Sequence, residues 1–296
     1  MILVIMMVVS WPIVIDRSWI RRYCRTANEE KLNEYFPAFD KKSNEQDVEL
    51  STTRDTGYIL YGDGVASQQK TKRLLHYIRA LTSRQAPGGH HLRRTSGHFS
   101  QVGQSQLVDK LLKGRRGGVF LECGAAGGEV LSNSLFFELH RNWTGVLIEG
   151  NPQYYRKLLS KNRNAFVVRA CLSPTTTPKI VKYTTKGMLS GIVNSRARAN
   201  TIQCFPLNSV TAALGIRHID YMSLDVEGPE LNILQTVNWS QLSIDVLTVE
   251  YRARTTKLNQ LRSFFNATGN YTEVGLLPHG TKDDTAQDVV FMRTRN

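Results

Sequence analysis

Acids at the ends of apolar runs are the residues here whose types and spacing could do chemistry. In VFLECGAAGGEVLSNSLFFELHRNWTGVLIEGN (residues 119–151), a first run ends in Glu122 and breaks into a turn of small residues, Gly124, Ala125, Ala126, Gly127 and Gly128. A segment of helical period leads to a second apolar run, residues 145–148, which ends in Glu149. Further on, YMSLDVEGPE (residues 221–230) places Asp225 at the end of a third run, Glu227 in the following turn and Glu230 at the start of a helix, while Glu250 closes the next run. An acid at the carboxyl tip of a strand, beside a glycine-rich turn, is the arrangement with which β-α-β units hold nucleotides and adenosyl cofactors.

The turn discriminates between those ligands. A dinucleotide fingerprint needs glycines at its first, third and sixth positions. Counting from Gly124, those positions hold Gly124, Ala126 and Glu129. The turn is small enough for close backbone approach, but an acid where the helix should begin repels a pyrophosphate. A cofactor without phosphates and with a positive sulfonium suits Glu122 and Glu129 better, and S-adenosylmethionine is such a cofactor. Glu149, about 25 residues past the turn, is placed to accept from both ribose hydroxyls, and Gly150 and Asn151 let the chain turn beside the adenosine. Methyl transfer is an in-line displacement in which the protein chiefly supplies alignment. A hydroxyl acceptor gains from a general base, for which Asp225 or Glu227 is suited. The same acids could instead hold a divalent ion through oxygen ligands; the expected site contains no metal. For Glu230, a favourable charge at a helix N-terminus is the simpler role.

Positioning these acids requires alternating strands and helices, and the pattern supplies them from about residue 100 onward. Strands are expected at 119–122, 145–149, 165–171, 179–184, 201–206, 219–225 and 244–250, with a final pair at 271–276 and 288–293. Helices are expected at 104–112, 129–140, 153–161 (opened by Pro152), 209–215, 230–237 and 256–267. The alternation predicts an α/β fold: a doubly wound, mostly parallel sheet of the S-adenosylmethionine-dependent methyltransferase (Rossmann-like) type, with an antiparallel C-terminal strand pair.

The front of the chain reads differently. Residues 1–15 are almost wholly apolar and are followed by a basic stretch. Fifteen helical residues span about 22 Å, short of the roughly 30 Å of a bilayer core. A membrane-targeting or anchoring segment is expected at 1–20, the alternative being a buried strand or helix. The basic flank downstream favours a cytosolic body. Residues 21–99 read as a charged stalk or linker with one helix near 70–81, and residues 100–296 as the folded domain. His90 and His91 are adjacent and fit a surface loop better than a metal site. The formal net charge of +13 favours anionic partners or simple solubility; no nucleic-acid motif stands out, and nucleic acid is not expected. Four sequons, at Asn142, Asn238, Asn266 and Asn270, lean towards the secretory pathway. Four cysteines lack metal-site spacing, and Cys171 and Cys204 could pair or remain buried thiols.

The segments VFLECGAAGGEVLSNSLFFE, WTGVLIEGNP, QCFPL and SLDVEGPELNILQT resemble the FkbM-type methyltransferase domain, and more narrowly the animal Star group built on it. The match runs from about residue 100 to the end. The resemblance implies an S-adenosylmethionine-dependent O-methyltransferase fold acting on a hydroxyl or carboxyl of a small molecule or glycan. It carries Glu122, Gly124 and Glu149 over as cofactor contacts, and Asp225 and Glu227 as catalytic acids; Gly127, Gly128 and Asn151 complete the expected cofactor-binding set. Likeness to the Star group implies a second role, with little or no catalysis. That role is a membrane-anchored secretory-pathway factor, in endoplasmic reticulum, Golgi or endosome, that aids trafficking of growth-factor (EGF receptor) ligands as cargo; a cytoplasmic location is the alternative.

Overall fold

A computed structural model describes residues 68–84, 86, 88–184, 187, 190–193, 200–251, 257–278 and 287–294. The apolar segment at 1–20 and most of the expected stalk lie outside these described residues. No helix among the described residues is long and apolar enough to cross a membrane.

Seven helices are formed among the described residues: α1 (Gln68–Ala80), α2 (Gln104–Leu111), α3 (Leu135–Arg141), α4 (Pro152–Ser160), α5 (Leu207–Ala213), α6 (Glu230–Gln235) and α7 (Lys257–Thr268). The strands are β1 (Thr82–Ser83), β2 (Val119–Cys123), β3 (Thr144–Ile148), β4 (Ala165–Val168), β5 (Cys171–Leu172), β6 (Lys179–Tyr183), β7 (Asn200–Phe205), β8 (His218–Leu224), β9 (Ser243–Tyr251), β10 (Tyr271–Pro278) and β11 (Gln287–Arg293). An eight-stranded sheet runs β1-β4-β3-β2-β8-β9-β11-β10, and a three-stranded sheet runs β5-β7-β6. Strands β4, β3, β2, β8 and β9 are parallel, while β11 is antiparallel to both β9 and β10. The fold class is the one expected from the sequence.

The central strands read as nearly unbroken apolar runs because both faces of the sheet are covered. Leu121, Val146, Phe166, Met222 and Leu247 face one core with α1, α5, α6 and α7. Their neighbours in the chain, Phe120, Leu147, Val167, Tyr221 and Val246, face the other with α2, α3 and α4. The chain leaves β2 in one direction for β3 and β4, and returns on the other side of β2 as β8. The reversal opens a crevice at the carboxyl ends of β2 and β8, where ligands of such sheets sit.

Three expectations are corrected. The first crossover helix begins at Leu135 rather than near 129; residues 129–134 form a loop because their polar groups are held by Glu122 and Arg163 instead of by helical carbonyls. The run at 165–171 is two strands in different sheets, β4 and β5, since the chain turns after Val168. The stretch before residue 100 is not merely a linker. Leu74 and Ile78 of α1 enter the core, β1 pairs with β4, and Asn162 hydrogen-bonds Ala86 and Gly89. His90 lies in a loop, as expected, and bonds Glu138.

Candidate functional site

The turn after β2 is shaped by contact with β8. Gly124 has φ +78°, and a Cβ there would stand 1.8 Å from the carbonyl oxygen of Asp225, so only glycine fits. This close approach puts the glycine turn and the Asp225 turn side by side. Beneath the turn, Glu122 is 4% exposed. Its carboxylate accepts from the Asn133 and Ser134 amides at 2.9 and 3.2 Å and from the hydroxyls of Ser132 and Ser134. Those bonds occupy both oxygens, so Glu122 fixes the loop that follows the turn.

A cavity of about 400 Å³ opens at the carboxyl ends of β2, β3 and β8. Glu149, Asp225, Glu227 and Glu250 line it, with Gly124 and Tyr183. Among the described residues no Lys, Arg or His does. Glu149 accepts from the amides of Ala126 at 2.7 Å and Asn151 at 2.6 Å. Burial raises its pKa to about 7, against the opposing pull of the Asn151, Ala126 and Gly150 amides. Carboxylate oxygens of Asp225, Glu227 and Glu250 all lie within 4.8 Å of one another. Burial, then the charge of Glu250, pushes the Asp225 carboxyl well above its ordinary range. Burial and Glu227 raise Glu250 to about 7. Asp225 and Glu250 are hydrogen-bonded to each other, so a proton shared by the pair is held chiefly by Asp225. Three oxygen-bearing acids at this spacing also match the donor set of a hard divalent ion.

The small sheet walls the cavity on the β3 side. Cys171 and Cys204, opposite each other on β5 and β7, form a disulfide, and Cys171 borders the cavity. Tyr183 of β6 donates to the Ser190 carbonyl at 3.1 Å. Burial, with the nearby charges of Glu149 and Glu227, raises its phenol pKa. The remaining thiol, Cys123, is buried and pushed far up by that burial and by Glu122; it is an inert wall residue.

A family model described as the methyltransferase FkbM domain matches residues 122–271, about half of the chain. The chain belongs to the FkbM methyltransferase family. No curated protein sequence matches it. Among solved structures, the METTL16 methyltransferase domain aligns with a TM-score of 0.42 at 11% identity, over 65% of this chain and 66% of that one. Fibrillarin of Aeropyrum pernix, crystallised with natively bound S-adenosyl-L-methionine, gives 0.37 at 14% identity, over 63% and 74%. TrmK of M. capricolum, in complex with S-adenosyl-homocysteine, gives 0.41 at 10% identity, over 65% and 68%.

Within the FkbM domain, the expected site residues fall into two groups. Gly124, Glu149, Asp225 and Glu227 line the cavity. Gly127, Gly128 and Asn151 do not. Gly127 lies against Tyr154 and Lys157 and Gly128 against Leu158, so both pack the turn on α4. Asn151 caps α4, accepting from the Gln153 amide at 2.8 Å and donating to Ser190 Oγ at 2.9 Å. Glu122 borders only a side chamber of about 40 Å³, with its carboxylate engaged as described. Glu129, read as a charge facing the cofactor, points elsewhere: it binds Lys161 and the amides of Arg93 and Arg94. Glu230 accepts from the amides of Val226 and Gly228 and so shapes the turn that presents Glu227.

Arg163 carried no signal in the sequence. Its guanidinium is fully buried and donates to Glu138 at 2.7 Å, to the Gly128 carbonyl at 2.6 Å, and to Ser132 and Ser134. It ties both ends of the loop after the glycine turn to the start of α3. Burial alone would raise the Glu138 pKa, but the Arg163 charge, with bonds from His90 and the Asn164 amide, lowers it. Removing one partner of such a pair leaves an uncompensated buried charge.

Proposed function

We propose that the domain binds S-adenosylmethionine and transfers its methyl group to an oxygen of a small-molecule or glycan acceptor. One observation carries this reading: the cavity at the strand ends is lined by four acids and, among the described residues, by no base. Such a lining suits a cationic, phosphate-free cofactor and opposes a dinucleotide. A volume of about 400 Å³ is in the range of small-molecule sites. Glu149 accepts from the ribose hydroxyls, its oxygens already oriented by the Ala126 and Asn151 amides. Bound there, the cofactor supplies an electrophilic methyl carbon.

The chain's own residues do the rest. The Asp225–Glu250 pair, with one member near pKa 7, takes the acceptor's proton as its oxygen attacks. Glu227 shares that role, held inward by the turn that Glu230 fixes. The disulfide-tied small sheet keeps water from the adenosine side. Four carboxylates make a neutral hydroxyl a better acceptor than a carboxylate, which they repel. Titration calorimetry with S-adenosylhomocysteine is expected to show one site, weakened at least several-fold by Glu149→Ala, and no heat with NAD. Absence of heat with the intact chain ends this reading.

A second reading is favoured by the Cys171–Cys204 disulfide, which is typical of oxidising compartments. In it, a Star-like protein is delivered to secretory-pathway membranes by residues 1–20, followed by a stalk. There it uses the methyltransferase fold to hold secretory cargo, such as growth-factor precursors, with or without methyl transfer. The expected product in cells is membrane-pelleted and glycosidase-sensitive. A soluble, unglycosylated product excludes this role and favours a cytoplasmic enzyme.

A further inference from the structure

The four sequons are scattered in sequence, yet the fold gathers them. Asn142 ends α3 and lies two residues before β3; Asn238 precedes β9. Asn266 is in the last turn of α7, and Asn270 immediately precedes β10. Strand β10 is antiparallel to β11, and β11 to β9, so β10 starts at the same end of the sheet as β9. The hydroxyl of Tyr271, next to Asn270, donates to the Ile244 carbonyl near the start of β9 at 2.9 Å. All four asparagines therefore stand at the amino-terminal pole of the parallel strands. The acid-lined cavity occupies the carboxyl-terminal pole.

Each of the four is exposed. Their neighbours are anchored: Trp143 is fully buried, and Trp239 packs on Phe264, Phe265 and Tyr271. At Asn238 the side-chain oxygen accepts from the Ser240 amide at 3.1 Å and the Ser240 hydroxyl at 2.7 Å. That leaves the exposed amide nitrogen with no hydrogen bond among the described residues. A substituent on any of these nitrogens meets solvent and displaces nothing from the core.

We propose that the amino-terminal pole is a glycan-bearing face, modified at Asn142, Asn238 and the Asn266/Asn270 pair, and that the cavity pole is left bare. The inference rests on the secretory reading. In the modification, the Asn Nδ2 forms a bond to the anomeric carbon of a lipid-diphosphate-linked oligosaccharide. The anomeric C–O bond breaks with its electron pair going to the diphosphate, and the amide proton is lost to base. The host's transferase and its lipid-linked sugar supply the reaction. The disulfide is an independent pointer to the same compartment.

The test expresses the full chain in a eukaryotic secretory host, with its own N-terminus and, in parallel, behind a cleavable signal sequence. Both forms are expected to run as a ladder that peptide-N-glycosidase collapses to one band. Asn142→Gln, Asn238→Gln and Ser240→Ala each remove a step, with Asn238→Gln and Ser240→Ala removing the same one. Affinity for S-adenosylhomocysteine changes less than twofold on deglycosylation. A signal-directed chain that binds S-adenosylhomocysteine but carries no glycan at these positions overturns the proposal. Glycans on the signal-directed form alone overturn it for the natural chain and locate the failure in the secretory reading. A tenfold change in affinity on deglycosylation overturns the separation of the poles.

Discussion

The two poles of the sheet hold acid clusters of opposite character. At the amino-terminal end, Asp220 and Asp245 are bridged by the guanidinium of Arg115, with His218 alongside. Burial pushes Asp220 up, but bonds from His218, the Val119 amide and Arg115 outweigh it and hold its pKa below the ordinary value. At the carboxyl-terminal end, Asp225 and Glu250 are buried to a similar degree but face further acids, and both are raised. One cluster is neutralised by its own chain and braces strands β2, β8 and β9. The other lies beside a cavity whose lining, among the described residues, includes no Lys, Arg or His. Burial alone does not separate a brace from a site; the charges that face the buried acids do.

That contrast can be broken most sharply at Asp225. Asp225→Asn is expected to lower methyl transfer by about 10²–10⁴-fold, the range for loss of general acid–base catalysis, because it breaks the proton-sharing pair with Glu250. It should also raise stability at pH 8 by about 1 kcal/mol, because a carboxyl whose pKa is raised by folding must take up a proton at that pH as the chain folds. Turnover with a hydroxyl acceptor and a melting curve at pH 8 report the two effects. Equal or lower stability would mean that a cation neutralises the acids there.

Arg115→Met does the reverse at the other pole. It leaves Asp220 and Asp245 without their cation and should cost about 2 kcal/mol in urea unfolding, with affinity for S-adenosylhomocysteine unchanged within twofold. A smaller effect is written in pH. Glu149 has a folded pKa of about 7, raised from 4.5. Its protonated form therefore favours folding below about 4.5, and that contribution fades as pH rises through 7. On the proposed reading Glu149 accepts from the ribose in its ionised form, so cofactor affinity should climb between pH 5 and 7, by up to about tenfold per unit, and level off above 7. A flat profile by calorimetry would remove Glu149 from the binding group. At the amino pole the slope has the other sign: Asp220, lowered from 3.8, contributes above that value and is lost on acidification. The smallest effect belongs to His218, nearly half exposed, whose pKa is raised chiefly by its bond to Asp220. Its contribution, under about 0.5 kcal/mol, is present below pH 6.5 and fades as pH rises; His218→Gln should lower the melting point slightly at pH 6 and not at pH 9.

The sheet was legible because fully buried parallel strands leave unbroken apolar runs bounded by glycines and acids, as at 119–122 and 219–225. The acids were legible for the same reason: a carboxylate next to such a run stands out. Less visible were groups whose role depends on distant partners. Glu122 and Glu149 look alike in sequence, each ending a run. Only the serines of the 129–134 loop decide that Glu122 is spent internally while Glu149 faces the cavity. Arg163 sits among polar residues and gives no periodic signal, yet it anchors that loop. The loop was read as helix because its spacing of Val130 and Leu131 with the apolar residues of α3 imitates a helical stripe. Val130 is in fact the most exposed large hydrophobic residue described, at 66%. The β4–β5 break at Arg169 and Ala170 was hidden because a single exposed Arg within an apolar run reads as an outward-facing strand residue, and so short a turn needs no glycine or proline.

The 1.8 Å between a would-be Cβ at Gly124 and the Asp225 carbonyl has a consequence for how this protein can change. Two positions a hundred residues apart in the chain share one packing space, so neither can drift alone. A methyl group added at 124 would push the Asp225 turn outward, moving the acid proposed to serve the acceptor and narrowing the cavity proposed to hold the cofactor. The proposed binding and chemistry would thus be lost in one step. A descendant that had abandoned catalysis but kept the cofactor would be expected to retain this glycine and lose the acid, not the reverse.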